Sequence, residues 1–251
     1  MHRSRRLVSA LAALTAISAL GACAYNEALG RSQLLLVDSA SLTQQSNAAW
    51  QEALRTQNAT TTGAQVDRIR RVGGKLVQAA GLADRAWDYA VFTDDSPNAF
   101  VLPSGQIGVT SGLLALVRND DQLASVIGHE IGHVVAHHAA ERSSTSALSS
   151  LALQIGTSAA GDYGQAVGAY GGLAAQYGVL LPYSRRDELE ADRLGVDYMA
   201  AAGFKPSEAV ALWRLMAGQR QGDIPQFAST HPSDDTRIDM LEQYIASRGW
   251  N

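Results

Sequence analysis

His129-Glu130-Ile131-Gly132-His133 is the stretch of this sequence richest in possible chemistry. Two histidines four residues apart share one face of an α-helix, so both imidazoles can reach a single ion. Zinc accepts neutral histidine nitrogen and is usually four-coordinate. Glu130 sits one residue round the helix from His129, so its carboxylate can reach a water held by the ion without ligating. Zinc lowers the pKa of such a water to about 7, and the glutamate can take its proton. The neighbours argue against a solvated helix with incidental histidines. Ile127, Ile131, Val134 and Val135 mark a buried helix. Two histidines and a glutamate in such a helix are costly to bury without a partner such as a metal. Gly128 and Gly132 thin the helix where another element or a substrate must approach.

Zinc in an enzyme needs a third protein ligand and a position left for water. The candidate acids lie in Asp187-Glu188-Leu189-Glu190-Ala191-Asp192. Glu188 and Asp192 share a helix face, while Glu190 points about 200° away from Glu188. We take Glu188 as the ligand, because Asp192 then falls where it can accept the free ring N–H of a ligating histidine and fix its tautomer. The competing reading is a solvated acidic face paired with Arg185, Arg186 and Arg193. His137 continues the four-residue spacing from His133, but is too far along the axis for the same ion. It is read as structural or solvent-facing. His231, before Pro232, and Arg237 could stabilise an oxyanion, or could be a helix cap and a surface arginine. Spacing alone does not choose.

Several elements must position these groups. Asn119 and Gln122 are in N-cap and capping-box positions, and the metal helix is expected to run from there to about Arg142. Other helices are expected at about 41–56, 65–80, 186–202, from Pro206 to near Gly218, and from Asp234 to about Ser247, capped by Ser233. Trp87, Tyr89 and Val91 alternate with Asp88 and Ala90 as in a strand. Asn98 to Leu102 and Gln106 to Val109 flank a Pro103-Ser104-Gly105 turn and predict a hairpin. Residues 143–181 are rich in Gly, Ala and Ser and only weakly periodic, so their structure stays open. The tally is mostly helix with one small sheet, an α+β fold.

The 251 residues contain 46% hydrophobic and 18% charged residues with a net charge of -4, which suits a globular domain. An acidic chain of this kind is not expected to bind nucleic acid. Met1 to Arg6 is basic and Leu7 to Leu20 is apolar and uncharged, the pattern of a targeting signal too short to span a bilayer. It ends in Leu20-Gly21-Ala22-Cys23, which resembles the bacterial lipoprotein box. Cys23 is the only cysteine, so no intramolecular disulfide can form. The expected organisation is a signal peptide over 1–22, a lipidated Cys23 with a tether over 23–40, and a single catalytic domain over 41–251.

With these residues in view, the chain resembles the gluzincin peptidases that include the HtpX-like and CAAX prenyl protease-like enzymes. The nearest branch is that of the periplasmic BepA- and LoiP-like proteases, related to the mitochondrial Oma-type enzymes. The resemblance runs from about Asn26 onward. It rests on Gly30-Arg31-Ser32-Gln33, Asn98-Ala99-Phe100, His129 to His133, Ser184-Arg185 with Glu188 and Ala191-Asp192, and His231-Pro232 with Arg237-Ile238. It implies a zincin-like fold with one zinc ion per chain held by His129, His133 and Glu188. It also implies Asp192 as the acid behind a ligand, and His231 and Arg237 as residues that assist the transition state or regulate access. Asn98, Ala99 and Phe100 match an edge strand bordering the cleft, to which an extended substrate can add by main-chain hydrogen bonds. The integral-membrane relatives have several spanning helices, and nothing beyond the targeting signal is apolar enough here. Prenyl-protein processing is therefore not expected.

Together these readings lead us to expect a zinc metalloendopeptidase with Glu130 as general base. Its substrates would be misfolded or unassembled envelope proteins. The resemblance and Ala24 after the cysteine place it on the periplasmic face of a bacterial outer membrane through its lipid anchor, with envelope assembly machinery as a possible partner. The alternative is a latent zinc protein acting as a chaperone-like binder or assembly factor.

Overall fold

The structure, a computed structural model, describes residues 23–159, 183–218, 227, 231 and 235–250. The targeting segment, the cap at Ser233 and residues 160–181 of the stretch left open lie outside the described residues. Internal contacts divide the chain into two compact units.

The first unit combines Met1–Ser39 with Ala140–Val179. Strands β1 (Cys23–Asn26) and β2 (Arg31–Leu34) pair antiparallel, where the sequence suggested only a tether. Asn26 closes their turn by accepting from the amide of Ala28 at 3.0 Å, and Gly30 supplies the positive φ of 68° that the turn requires. The other residues of Gly30-Arg31-Ser32-Gln33 have partners in this unit. Arg31 makes a two-pronged ion pair with Glu141, each bond 2.9 Å, and Gln33 donates to the same carboxylate at 2.6 Å. Ser144 Oγ accepts from the amides of Leu36 and Val37.

The second unit carries the sheet and the metal helix. Its elements are α1 (Ser39–Thr56), β3 (Ala59–Thr60), α2 (Ala64–Ala79), β4 (Asp88–Phe92), β5 (Ala99–Leu102), β6 (Gln106–Thr110), α3 (Ser111–Leu116) and α4 (Asp120–Val135). Then follow α5 (His138–Ala159), most of which belongs to the first unit, α6 (Arg185–Ala201), α7 (Ser207–Gly218) and α8 (Asp235–Ser247). The sheet order is β3-β4-β6-β5, with β4 and β6 parallel and the other pairs antiparallel. The fold is α+β and mostly helical, and β5 is an edge strand among the described residues.

Strand alternation distributes side chains to two apolar layers. Tyr89, Val91, Ala99, Ile107 and Val109 join the main core with Val66, Ile69, Val72 and Leu76 of α2 and Leu123 and Ile127 of α4. Ala90, Phe92, Phe100 and Leu102 face the other way, against Trp50 of α1. Gly108 is required by this layer, since a Cβ there would lie 2.3 Å from the Phe100 ring. Among the described residues no helix is long and apolar enough to cross a membrane.

One expectation fails in the metal helix. It does not continue to Arg142 but ends at Val135, and α5 begins at His138. His137 between them has φ 52°, a left-handed conformation that no helix can pass through. At the other end Asn119 caps as expected, accepting from the Gln122 amide at 2.8 Å. Gln122 reaches back to the amide of Arg118 rather than to that of Asn119.

Candidate metal centre

Helix α4 presents His129, Glu130 and His133, all buried, to α6. The two helices meet at glycines. A Cβ on Gly132 would lie 2.7 Å from the Ala191 carbonyl, and one on Gly195 would lie 2.8 Å from the His129 amide. This approach brings Glu188 and Asp192 of α6 to the histidines. Ser184 starts α6 with a full capping box to Asp187, which fixes the turn on which Glu188 lies.

Donor atoms of His129, His133, Glu188 and His231 lie within 4.8 Å of one another. The carboxylate of Glu188 is 3.4 Å from Nε2 of both His129 and His133, and 3.0 Å from Nδ1 of His231. Nδ1 of His129 is 2.9 Å from Asp192. With Nδ1 so engaged, Nε2 of His129 turns to the donor group, 3.1 Å from Nε2 of His133. Two lone pairs so close repel unless a proton or a cation lies between them. The group therefore fits a cation, and its nitrogen and carboxylate donors are those zinc accepts.

Electrostatics follow from burial and these contacts. Burial alone would depress His129, but Asp192 and Glu188 outweigh it and push the imidazole up to about 9. Burial holds His133 well below 6.5 and raises the carboxyl of Glu130. Burial acts against the charge on Glu188 too, yet hydrogen bonds to the three histidines hold it far below the carboxylate range. Oε1 of Glu130 is buried with no hydrogen-bond partner among the described residues, and Nε2 of His231 lies 3.3 Å away.

Arg237, 2% exposed, reaches in from α8. It donates to Asp192 through Nε at 2.5 Å and through a terminal nitrogen at 2.8 Å. Its other terminal nitrogen pairs with Glu188 at 2.5 Å. Trp213 of α7 lies under the guanidinium, 4.2 Å from ring centre to Cζ. Arg237 thus holds the two acids in place. His231 stacks on Phe227 at 4.5 Å and enters the donor group itself. Asn98, Ala99 and Phe100 do not offer side chains to this group. Ala99 packs in the main core, Phe100 on Trp50 and Phe92, and the main chain of Asn98 is bonded to Thr110. Among the described residues no strand pairs with the outer edge of β5, which presents backbone.

Sequence reasoning missed two residues beside His133. Tyr183 stacks on its ring at 3.9 Å, and His138 bonds its outer nitrogen at 2.8 Å. His137, by contrast, is exposed, as expected. The helix break at 136–137 decides which of the adjacent histidines turns inward, and no residue pattern announced it.

The family model described as peptidase family M48 matches residues 64–245. The chain belongs to peptidase family M48. The M48 match contains every residue of the four-donor group as well as Glu130, Asp192 and Arg237, and zinc is the metal used by the M48 metalloproteases. The chain is similar to the mitochondrial metalloendopeptidase OMA1 of Schizosaccharomyces pombe, 37% identical over 180 residues, 70% of this chain and 52% of that one. It is 30% identical to human OMA1 over 239 residues, covering 86% and 44%. The beta-barrel assembly-enhancing protease of Escherichia coli K12 is 28% identical over 182 residues, covering 68% and 37%. The chain spans about half the length of the curated relatives it matches.

These relatives overturn the placement at a bacterial outer membrane. The OMA1 proteins are named as mitochondrial and match at 30 to 37% identity, above the 28% of the bacterial protease. The expectation rested on the residues around Cys23 and on a resemblance to the periplasmic branch, whereas the higher identities over long alignments are to the mitochondrial proteins.

Proposed function

We propose that this chain is a zinc-dependent endopeptidase that cleaves internal peptide bonds of misfolded or unassembled proteins. The observation that carries the reading is the convergence of His129, His133, Glu188 and His231 beside the buried carboxylate of Glu130. His129, His133 and Glu188 would hold the ion. Bound there, zinc supplies Lewis acidity towards the scissile carbonyl and the attacking water. Glu130 takes the proton of that water and returns it to the leaving nitrogen. Its Oε1 is buried and has no hydrogen-bond partner among the described residues, which suits it to take that proton. Arg237 is committed to Asp192 and Glu188, which leaves His231 as the group that can face an oxyanion. An extended substrate segment adds by main-chain bonds to β5, an edge strand among the described residues, so cleavage tolerates many sequences and favours unfolded chains. Lipidation of Cys23 is a separate element of the reading. It rests on the residues before the cysteine and on the exposure of its thiol, and the intact mass of the purified chain tests it.

The test compares wild type with Glu130→Gln for bound zinc and for cleavage of unfolded casein. Equal zinc in both, with cleavage reduced by about 10²- to 10⁴-fold in the variant, is the expected result. Absence of zinc from the folded wild type would refute the reading.

One observation favours a second reading. His231 already supplies a fourth protein donor at 3.2 Å from His129 Nε2, and four protein donors make a closed site. In that state the protein is latent and turnover requires His231 to withdraw. The substitution His231→Ala separates the two readings. Cleavage rises if the histidine blocks the site and falls if it stabilises the oxyanion.

A further inference from the structure

His133 faces the donor group through Nε2, so its proton must sit on Nδ1. That N–H is buried with the ring, which is 4% exposed, and it needs an acceptor. The acceptor is Nδ1 of His138 at 2.8 Å. His138 can accept there only if its own proton is on Nε2. Nε2 of His138 lies 2.9 Å from a carboxylate oxygen of Glu190 and 3.9 Å from one of Asp187. The ring of His138 is itself 1% exposed, so in the intact protein both nitrogens find their partners in other side chains.

We propose that His138, oriented by Glu190, is a positioning residue for the metal ligand His133. The inference rests on the zinc reading above and deepens it. Glu190 fixes the tautomer of His138, and His138 fixes that of His133. The lone pair of His133 Nε2 is thereby aimed at the ion. Such partners of ligating histidines typically change metal affinity by 10- to 100-fold.

The backbone makes the arrangement possible. On an unbroken helix His138 would lie about 140° round from His133, five residues on. The left-handed turn at His137 sends His137 outward and brings His138 back over the ring. Glu190 points away from Glu188 on α6, and so serves the outer histidine while Glu188 serves the ion.

The test measures zinc affinity of the metal-free full chain by chelator competition, independently of cleavage. His138→Phe keeps the ring and removes both nitrogens, and is expected to weaken zinc 10- to 100-fold. His138→Asn keeps an acceptor near the Nδ1 position and is expected to recover a clear part of that loss. Glu190→Ala, at a partly exposed position, is expected to weaken zinc 3- to 10-fold and serves if His138→Phe does not fold. Wild-type zinc binding with affinities within twofold in all folded variants would overturn the inference while leaving the zinc reading intact. A wild type that binds no zinc would refute the zinc reading instead. Equal losses in His138→Phe and His138→Asn would also overturn it, since the ring and not its acceptor would then matter.

Discussion

His129 and His133 sit one turn apart on the same helix, yet their outer nitrogens are supported by different means. His129 meets a carboxylate directly, and Asp192 is itself clamped by an arginine in the core. His133 meets another imidazole, and that ring in turn meets the partly exposed Glu190. The first arrangement buries charge and needs every partner, because an uncompensated ion in the core is costly. The second holds no arginine–carboxylate pair in the core and reaches a partly exposed position at Glu190, where removing the carboxylate lets water in. On the proposed zinc reading, changes on the His129 side are expected to disturb metal binding and folding together, and changes on the His133 side to disturb metal binding more than folding.

The largest effect that could break this comparison is Asp192→Ala. It leaves Arg237 buried without its main partner, and we expect a loss of about 3–5 kcal/mol in urea unfolding. Glu190→Ala should cost less than about 1 kcal/mol in the same measurement. Similar losses for the two would refute the distinction. Removing the metal comes next. Zinc at a thousandfold over its dissociation constant should add about 4 kcal/mol to the stability of wild type. A chelator should remove that increment, and a chain without His129 should never show it.

Helix contact gives a smaller effect. Gly132→Ala puts a methyl against the Ala191 backbone, and overpacking of this kind costs about 1–3 kcal/mol. At Gly74 of α2 the nearest atom to a new Cβ is 4.0 Å away. Gly74→Ala should instead stabilise by about 0.5–1 kcal/mol, since only the helix preference of alanine remains. Thermal unfolding of the two variants checks the opposite signs.

The smallest effect concerns an exposed ion pair at the start of the metal helix. Burial opposes the charge of Asp120, but Arg71 and Arg68 hold its carboxyl below the ordinary 3.8. A carboxyl with a depressed folded pKa contributes stability above its unfolded pKa, and loses it as pH falls through the folded value. Asp120→Asn should therefore cost less than about 1 kcal/mol at pH 7. The difference from wild type should shrink below about pH 4 in acid titrations of stability. A loss as large as that of Asp192→Ala would mean that burial is not what separates the two aspartates.

Much of this was legible in the residues. Apolar period and capping residues located α2 and α6 to within a residue or two and the start of α4, though not its end, and Pro103-Ser104-Gly105 marked the β5–β6 turn. The choice of Glu188 over Glu190 followed from helix geometry, and Glu190 indeed turns to His138. The hairpin β1–β2 was not read because its strands are short and mostly polar, and its partners lie over a hundred positions along the chain.

The sequence by itself determined which donors exist, which of them share a helix face, and that Glu130 lies beside but not among the ligand histidines. Helical periodicity is local, so such relations survive without the rest of the chain. Only the tertiary structure decided that His231 joins the donor group, that Arg237 clamps the acids rather than facing the surface, and that His138 and not His137 supports His133. Those outcomes depend on where distant elements pack and on one left-handed residue between two helices. Neither leaves a periodic trace in the residues that meet.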